Sequence, residues 1–195
     1  MAHDLESEKE GYMVNTSNQQ SDFIKHIINE AKRVEEDSLF CYAGHSEEAR
    51  FWQRIDLWIG IPTVVFAAVA GLLSFTKQNS ILVGGLAFLV AAISSVSVFL
   101  DSKSQQMEHY KACIDYDDLK NRARWLYSIE CAKNANGGHH EHLENSLKQL
   151  CEKLNELNAH TPIISERARR LANKNIASGR YTYVVDVDKE NLKKT

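Results

Sequence analysis

"LLSFTKQNSILVGG", residues 72–85, joins two long apolar runs across a five-residue polar break, Thr76 to Ser80. Leu57 to Phe75 carries no charge over 19 residues, and Ile81 to Leu100 none over 20. Nineteen helical residues rise about 28 Å, close to the roughly 30 Å of a bilayer's hydrocarbon core. A buried helix in a soluble chain of 195 residues would show a polar stripe at helical spacing, and neither run has one. Gly60, Pro62 and the Gly84-Gly85 pair interrupt the runs, and membrane helices tolerate both residue types. The runs predict a transmembrane hairpin, 57–75 and 81–100, in an all-α membrane protein. Long cytoplasmic extensions of the two spans would form a helical bundle.

The basic residues set the expected topology. Of 23 Lys and Arg, six precede Asp56, 16 follow Asp101, and Lys77 alone sits in the hairpin turn. Arg50, Arg54, Lys103 and Lys111 lie close to the spans, where such charges count most. Both termini are therefore expected in the cytoplasm of a two-span protein. A net charge of −3 gives no push toward nucleic acid. Cys41, Cys113, Cys131 and Cys151 form no C-x-x-C pair, which fits a reducing compartment better than a zinc site or a disulfide framework. "MAHDLESEKEG" has four acids and no apolar core, so residues 1–20 read as a disordered acidic tail and not as a secretory signal.

Small residues are ordered along both spans. Gly60, Thr63, Ala67, Ala70 and Ser74 follow a 3-4-3-4 spacing in the first, and Gly84, Ala87, Ala91 and Ser94 a similar one in the second. Such faces let backbones approach closely where lipid supplies no hydrophobic drive. They are expected to zip the hairpin shut, or to line a pathway in an oligomer with the hydroxyls of Thr63, Ser94 and Ser97. No acid, lysine, arginine or histidine lies inside either span, which argues against a proton relay.

The flanks read as cytoplasmic helices over 21–56 and 101–178. Phe23, Ile24, Ile27, Ile28, Ala31 and Val34 share one side of the first, with Gly44 a possible bend. A second helix is expected from Ser104 to Ala132, stopped by "NANGG" (134–138). Leu143, Leu147, Leu150, Leu154 and Leu157 form a 4-3-4-3 ladder. It is short for an independent coiled coil, so docking on the two helices before it is expected. Thr161-Pro162 is expected to open a fourth helix as N-cap and first-turn proline, running to about Ala177 before Gly179. Residues 179–195 read as an extended tail, with strand character in "YTYVVDV" (181–187).

Chemistry is sparse. His139, His140 and His142 of "GHHEH" invite a metal reading, but no Cys or carboxylate set completes the ligands, and solvated histidines are expected. Arg167, Arg169, Arg170 and Lys174 could hold anionic lipid headgroups or a nucleotide phosphate, or form an ordinary charged surface. No phosphate-binding glycine loop, nucleophile elbow or His-Glu zinc motif occurs. The expectation is a non-enzymatic protein without cofactor or resident metal.

"WIGIPTVV" (58–65) is similar to the start of the first span in the SLATT family, a glycine and proline after an aromatic-rich helix. "HYKACIDYDDL" (109–119) resembles that family's pattern after the membrane, with His109, Ala112, Tyr116 and Leu119 on a His, small, Tyr, Leu series. The resemblance covers about residues 21–178. It implies a bacterial inner-membrane effector that forms homo-oligomers and breaches the bilayer when a sensor protein or a nucleotide second messenger triggers it. On that reading His109 couples membrane to cytoplasmic helices. An expectation from another class is a membrane anchor or scaffold that gathers a cytoplasmic partner on its helices and tail.

Overall fold

The computed structural model describes residues 2–75, 80–134 and 140–182, with side chains from Ser21 onward. Every regular element among them is helical: α1 (Ala2–Phe75), α2 (Ser80–Leu100), α3 (Ser102–Trp125), a π-helical turn (Leu126–Glu130), α4 (Cys131–Lys133), α5 (His140–His160) and α6 (Glu166–Ala177). The chain divides into two compact units, one of residues 1–42 and 113–161, the other of 43–112 and 162–195.

In the first unit the apolar faces predicted for α1, α3 and α5 make the core. Ile27, Ala31 and Val34 are buried, as are Tyr116, Leu119 and Ala123. Leu143, Leu150 and Leu157 of the leucine ladder are buried, and Leu147 and Leu154 are half-buried. The ladder is thus taken up inside the unit. The helix after Trp125 widens by one residue per turn, and the Cys131 amide reaches back to the Leu126 carbonyl. That extra residue lets Leu126 and Cys131, five positions apart, both point inward.

The second unit holds the apolar runs. Each belongs to a helix long and apolar enough to cross a membrane, and no residue in either apolar window is buried. Val64, Leu72, Phe88 and Val98 are more than two-thirds exposed. Apolar surface on this scale is costly in water and is what lipid contact requires. Pro62 removes the amide that would bond the Trp58 carbonyl, yet α1 continues to Phe75. At the base of the hairpin the Ser102 hydroxyl donates to Asp56 Oδ1 at 3.2 Å.

Two expectations are corrected. The α1 backbone begins at Ala2, so residues 2–20 are helical in place of a disordered tail. No proline or glycine pair stops propagation there, and extending a helix costs far less than nucleating one. The helix expected from Thr161-Pro162 opens at Glu166, with Ser165 as N-cap: its φ/ψ of −66/155 is extended and its hydroxyl accepts from the Ala168 amide at 3.2 Å. The Thr161 hydroxyl is engaged elsewhere, donating to the Leu157 carbonyl at 2.8 Å at the end of α5. Residues 183–187, most of the expected strand, lie outside the described residues.

Between α2 and α3 stands one residue, Asp101, with φ 41. This is the left-handed region, which costs an L-residue roughly 1 kcal/mol and which Asp tolerates better than most. Backbone bonds persist around it, Asp101 N to Ser97 O and Gln105 N to Asp101 O, both at 3.2 Å. Asp101→Ala is expected to lower stability by about 1 kcal/mol while Asp101→Gly leaves it unchanged or higher. Thermal unfolding midpoints of the two variants test this, and equal losses would contradict it.

Candidate functional site

Before the apolar run of α1, the sequence "AGHSEEARF" (43–51) carries two polar side chains, His45 and Glu48, onto a packed face that His109 of α3 shares. His45 and His109 are 1% and 3% exposed, and Glu48 is 4% exposed. The imidazoles meet Nδ1 to Nδ1 at 2.9 Å, ring centroids 5.2 Å apart and planes tilted by 40°. A bond of that kind holds one proton: one Nδ1 donates and the other accepts, so the two rings take opposite tautomers. Burial holds His45 down at about 4; His109 adds to the push, and the Glu48 carboxylate opposes it. Burial also lowers His109, against the Glu48 and Glu108 carboxylates. The pair is therefore neutral near pH 7, and a second proton would replace the bond with repulsion.

α6 closes over this region. The Ser165 amide donates to Glu48 Oε1 at 2.8 Å, and Asn175 Nδ2 donates to Glu47 Oε1 at 2.9 Å. Ser165 and Asn175 lie about 15 Å apart along α6, whereas Glu47 and Glu48 are separated by only about 1.5 Å along α1. α6 must therefore cross α1 instead of running beside it. Ala168 and Ala172 make the close contact, both fully buried. The Arg167 guanidinium carbon stands 3.9 Å over the centre of the Phe51 ring. Gly44 admits the segment leading into α6: a Cβ there would come 2.8 Å from Ile164 Cδ1 and 3.1 Å from its Cγ2. Gly44→Val is expected to displace Ile164 and cost about 1–3 kcal/mol by overpacking. Proteolysis after Arg167 or Arg169 should then quicken, and an unchanged cleavage rate would argue against the contact.

The family-pattern residues His109, Ala112, Tyr116 and Leu119 are all buried on one face of α3. His109 and Ala112 belong to the second unit, Tyr116 and Leu119 to the first. The Tyr116 hydroxyl donates to Asn158 Oδ1 at 2.8 Å and lies 3.3 Å from Thr161 Oγ1. Burial pushes its phenol up to about 12, and the Thr161 hydrogen bond pulls the other way.

The less exposed positions are Ile59, Pro62, Thr63, Phe66, Ala70 and Leu73 on the first span and Val83, Leu86, Val90, Ile93, Ser94, Ser97 and Leu100 on the second. Thr63 and Ala70 of the stripe thus stand in one 4-3-4-3 series with Ile59, Phe66 and Leu73, and Ser94 and Ser97 follow on from Val83, Leu86 and Val90. The other stripe residues, Gly60, Ala67, Ser74, Gly84, Ala87 and Ala91, are exposed. A Cβ built on Gly60 or Gly84 meets nothing within 4 Å. The Thr63 and Ser74 hydroxyls donate to their own helix, to the Ile59 and Ala70 carbonyls at 2.7 and 2.8 Å.

The histidine run is divided. His140 meets Phe23 edge to face at 4.9 Å, and His142 Nε2 lies 3.5 Å from Glu130 Oε2. His139 is outside the described residues. No group of three or more His, Cys, Asp or Glu among the described residues is arranged to hold a metal. Arg167, Arg169, Arg170 and Lys174 are all exposed on α6. His45 and Glu48 are the residues sequence reading missed. Their signal was phase: Ala31, Ser38 and His45 recur every seven residues, so His45 continues the apolar stripe of α1 past its last hydrophobic member.

No family model, no curated protein and no solved structure matches this chain.

Proposed function

We propose that the protein is a membrane effector of the SLATT kind. It would sit in the bacterial inner membrane as a two-span hairpin with both termini in the cytoplasm, self-associate there, and breach the bilayer to kill or arrest the cell. Its trigger would be a sensor protein or a nucleotide second messenger from an antiviral or conflict system. The observation that carries this reading is the open small-residue face: Gly60, Ala67, Gly84, Ala87 and Ala91 point away from the hairpin seam, where a second copy could approach. Spans without ionisable residues suit a non-selective breach better than coupled transport. The buried His45–His109 bond, roughly three turns beyond the ends of the apolar runs, would supply a contact for a trigger to bias. The output is physical and non-enzymatic, and it needs no cofactor or nucleic acid.

Dye entry into cells induced for this chain, recorded beside growth, tests the proposal. Rapid entry with arrest is expected, with the chain alone or once its genomic neighbours are co-expressed. Intact, growing cells in both settings would leave the scaffold reading. One observation favours that second reading: a groove of about 220 Å³ in the first unit, lined by Trp125, Leu126, Arg122 and Lys153 among others, with Trp125 56% exposed. A scaffold predicts inert overexpression and a cytoplasmic partner retained in the membrane fraction.

A further inference from the structure

We propose that one flank of α6, carrying Arg167 and Lys174, binds the phosphate groups of anionic lipids in the leaflet that the hairpin itself enters. The inference rests on the membrane reading and adds a lipid class and a surface to it.

Three observations carry it. The first is orientation: α6 lies across α1, so it runs broadly parallel to the bilayer that α1 enters. The second is depth. Phe51, on which Arg167 stacks, precedes Leu57 by six residues, about 9 Å along the helix. The headgroup layer occupies roughly 5–8 Å beyond the hydrocarbon on each side, so extended arginine and lysine side chains at this level reach it. The third is how the charges sort. With Ala168 and Ala172 against α1, a rotation of about 100° per residue puts Arg167, Leu171 and Lys174 on one flank. Glu166, Arg169 and Asn173 fall on the other, and Arg170 faces straight away from α1, one turn from Glu166. The Phe51 contact fixes which flank is which, because Phe51 lies on the membrane side of Glu48 along α1.

The membrane-side flank is therefore two cations and a leucine, and the helix's acid lies on the opposite flank. Among the described residues no ion pair holds Arg167, Arg170 or Lys174. Stacking on Phe51 fixes the Arg167 guanidinium plane and leaves its N–H edges for a phosphate. Arg54 and Lys103, both exposed, extend the same positive belt at the ends of the spans, where Asp56 is bonded to Ser102.

The test uses the full chain reconstituted in vesicles of phosphatidylcholine alone, or of phosphatidylcholine with phosphatidylglycerol. Backbone hydrogen exchange over α6 is the readout. Exchange is expected to slow at least about tenfold with the anionic lipid, since each basic side chain near such a leaflet contributes to holding the helix there. The slowing should fall to a few-fold or less in Lys174→Gln, which keeps the Phe51 stack, and survive in Arg169→Gln. Equal exchange in the two vesicle types, with the protein retained in both, overturns the proposal and leaves the membrane reading standing. So does an Arg169→Gln variant that loses as much as Lys174→Gln. Inorganic phosphate protecting α6 equally in phosphatidylcholine vesicles would assign the site to a soluble anion and also overturn it. A chain that elutes from both vesicle types defeats the membrane reading and this inference with it.

Discussion

Ala91→Leu is expected to abolish killing while the protein still reaches the membrane. Ala91 is exposed on the small-residue face of α2, one turn beyond Ala87 and two beyond Gly84. Its carbonyl already accepts the Ser95 hydroxyl at 2.8 Å, so the local backbone has no need of a larger side chain. Leucine is as comfortable in lipid as alanine or better, which leaves insertion intact. Under the proposed function it would remove close backbone approach between copies, on which interfaces of this type depend. Loss of dye entry by an order of magnitude or more is expected, with unchanged protein in the membrane fraction. Ala92→Leu, exposed but a third of a turn off the stripe, should kill as the parent does. If Ala91→Leu kills normally, the stripe has no part in the output.

Acid is expected to loosen the second unit through the His45–His109 pair. An unfolded chain takes up a proton at His45 near pH 6.5, whereas folded His45 resists until about 4. The His45 contribution is thus fully present above pH 6.5 and is lost as the pH falls through that window. Two and a half pH units correspond to about 3 kcal/mol for this one group, a large part of a domain's net stability. His109 shifts in the same direction; the nearby carboxylates, Glu48 for both rings and Glu108 for His109, work against it. His45→Asn retains an amide able to meet His109 Nδ1 but does not titrate. Denaturant midpoints of the parent should drop between pH 6.5 and 4, and those of the variant should drop much less. Parallel profiles would remove the pair from the account.

Much of this architecture was legible because hydrophobicity and helix-breaking residues mark it locally. The two spans announce themselves by length without charge, and the leucine ladder by its spacing. The start of α6 was displaced by four residues because Thr161-Pro162 and Ser165-Glu166 both satisfy capping rules. What decided between them was tertiary: the Glu48 carboxylate takes the Ser165 amide, from 117 positions away in the chain. The small stripes illustrate a different limit. Spacing gives a face, but it does not say whether a partner helix in the same hairpin or open surroundings will meet it. His45 and Glu48 escaped because a polar residue on an apolar phase lowers the very signal that would locate it. Their meaning rests on His109 and Ser165, and pairings over such separations leave no trace in either local sequence.

The single left-handed residue at Asp101 makes the way out of the hairpin unlike the way in. α1 passes from its polar segment to its apolar segment without a break, whereas α2 ends at Leu100 and α3 starts at Ser102. The backbone strain of about 1 kcal/mol therefore sits on one arm of the hairpin, and among the described residues no other L-residue shares it. A substitution that relieves it acts on the outgoing arm and leaves the incoming arm as it was.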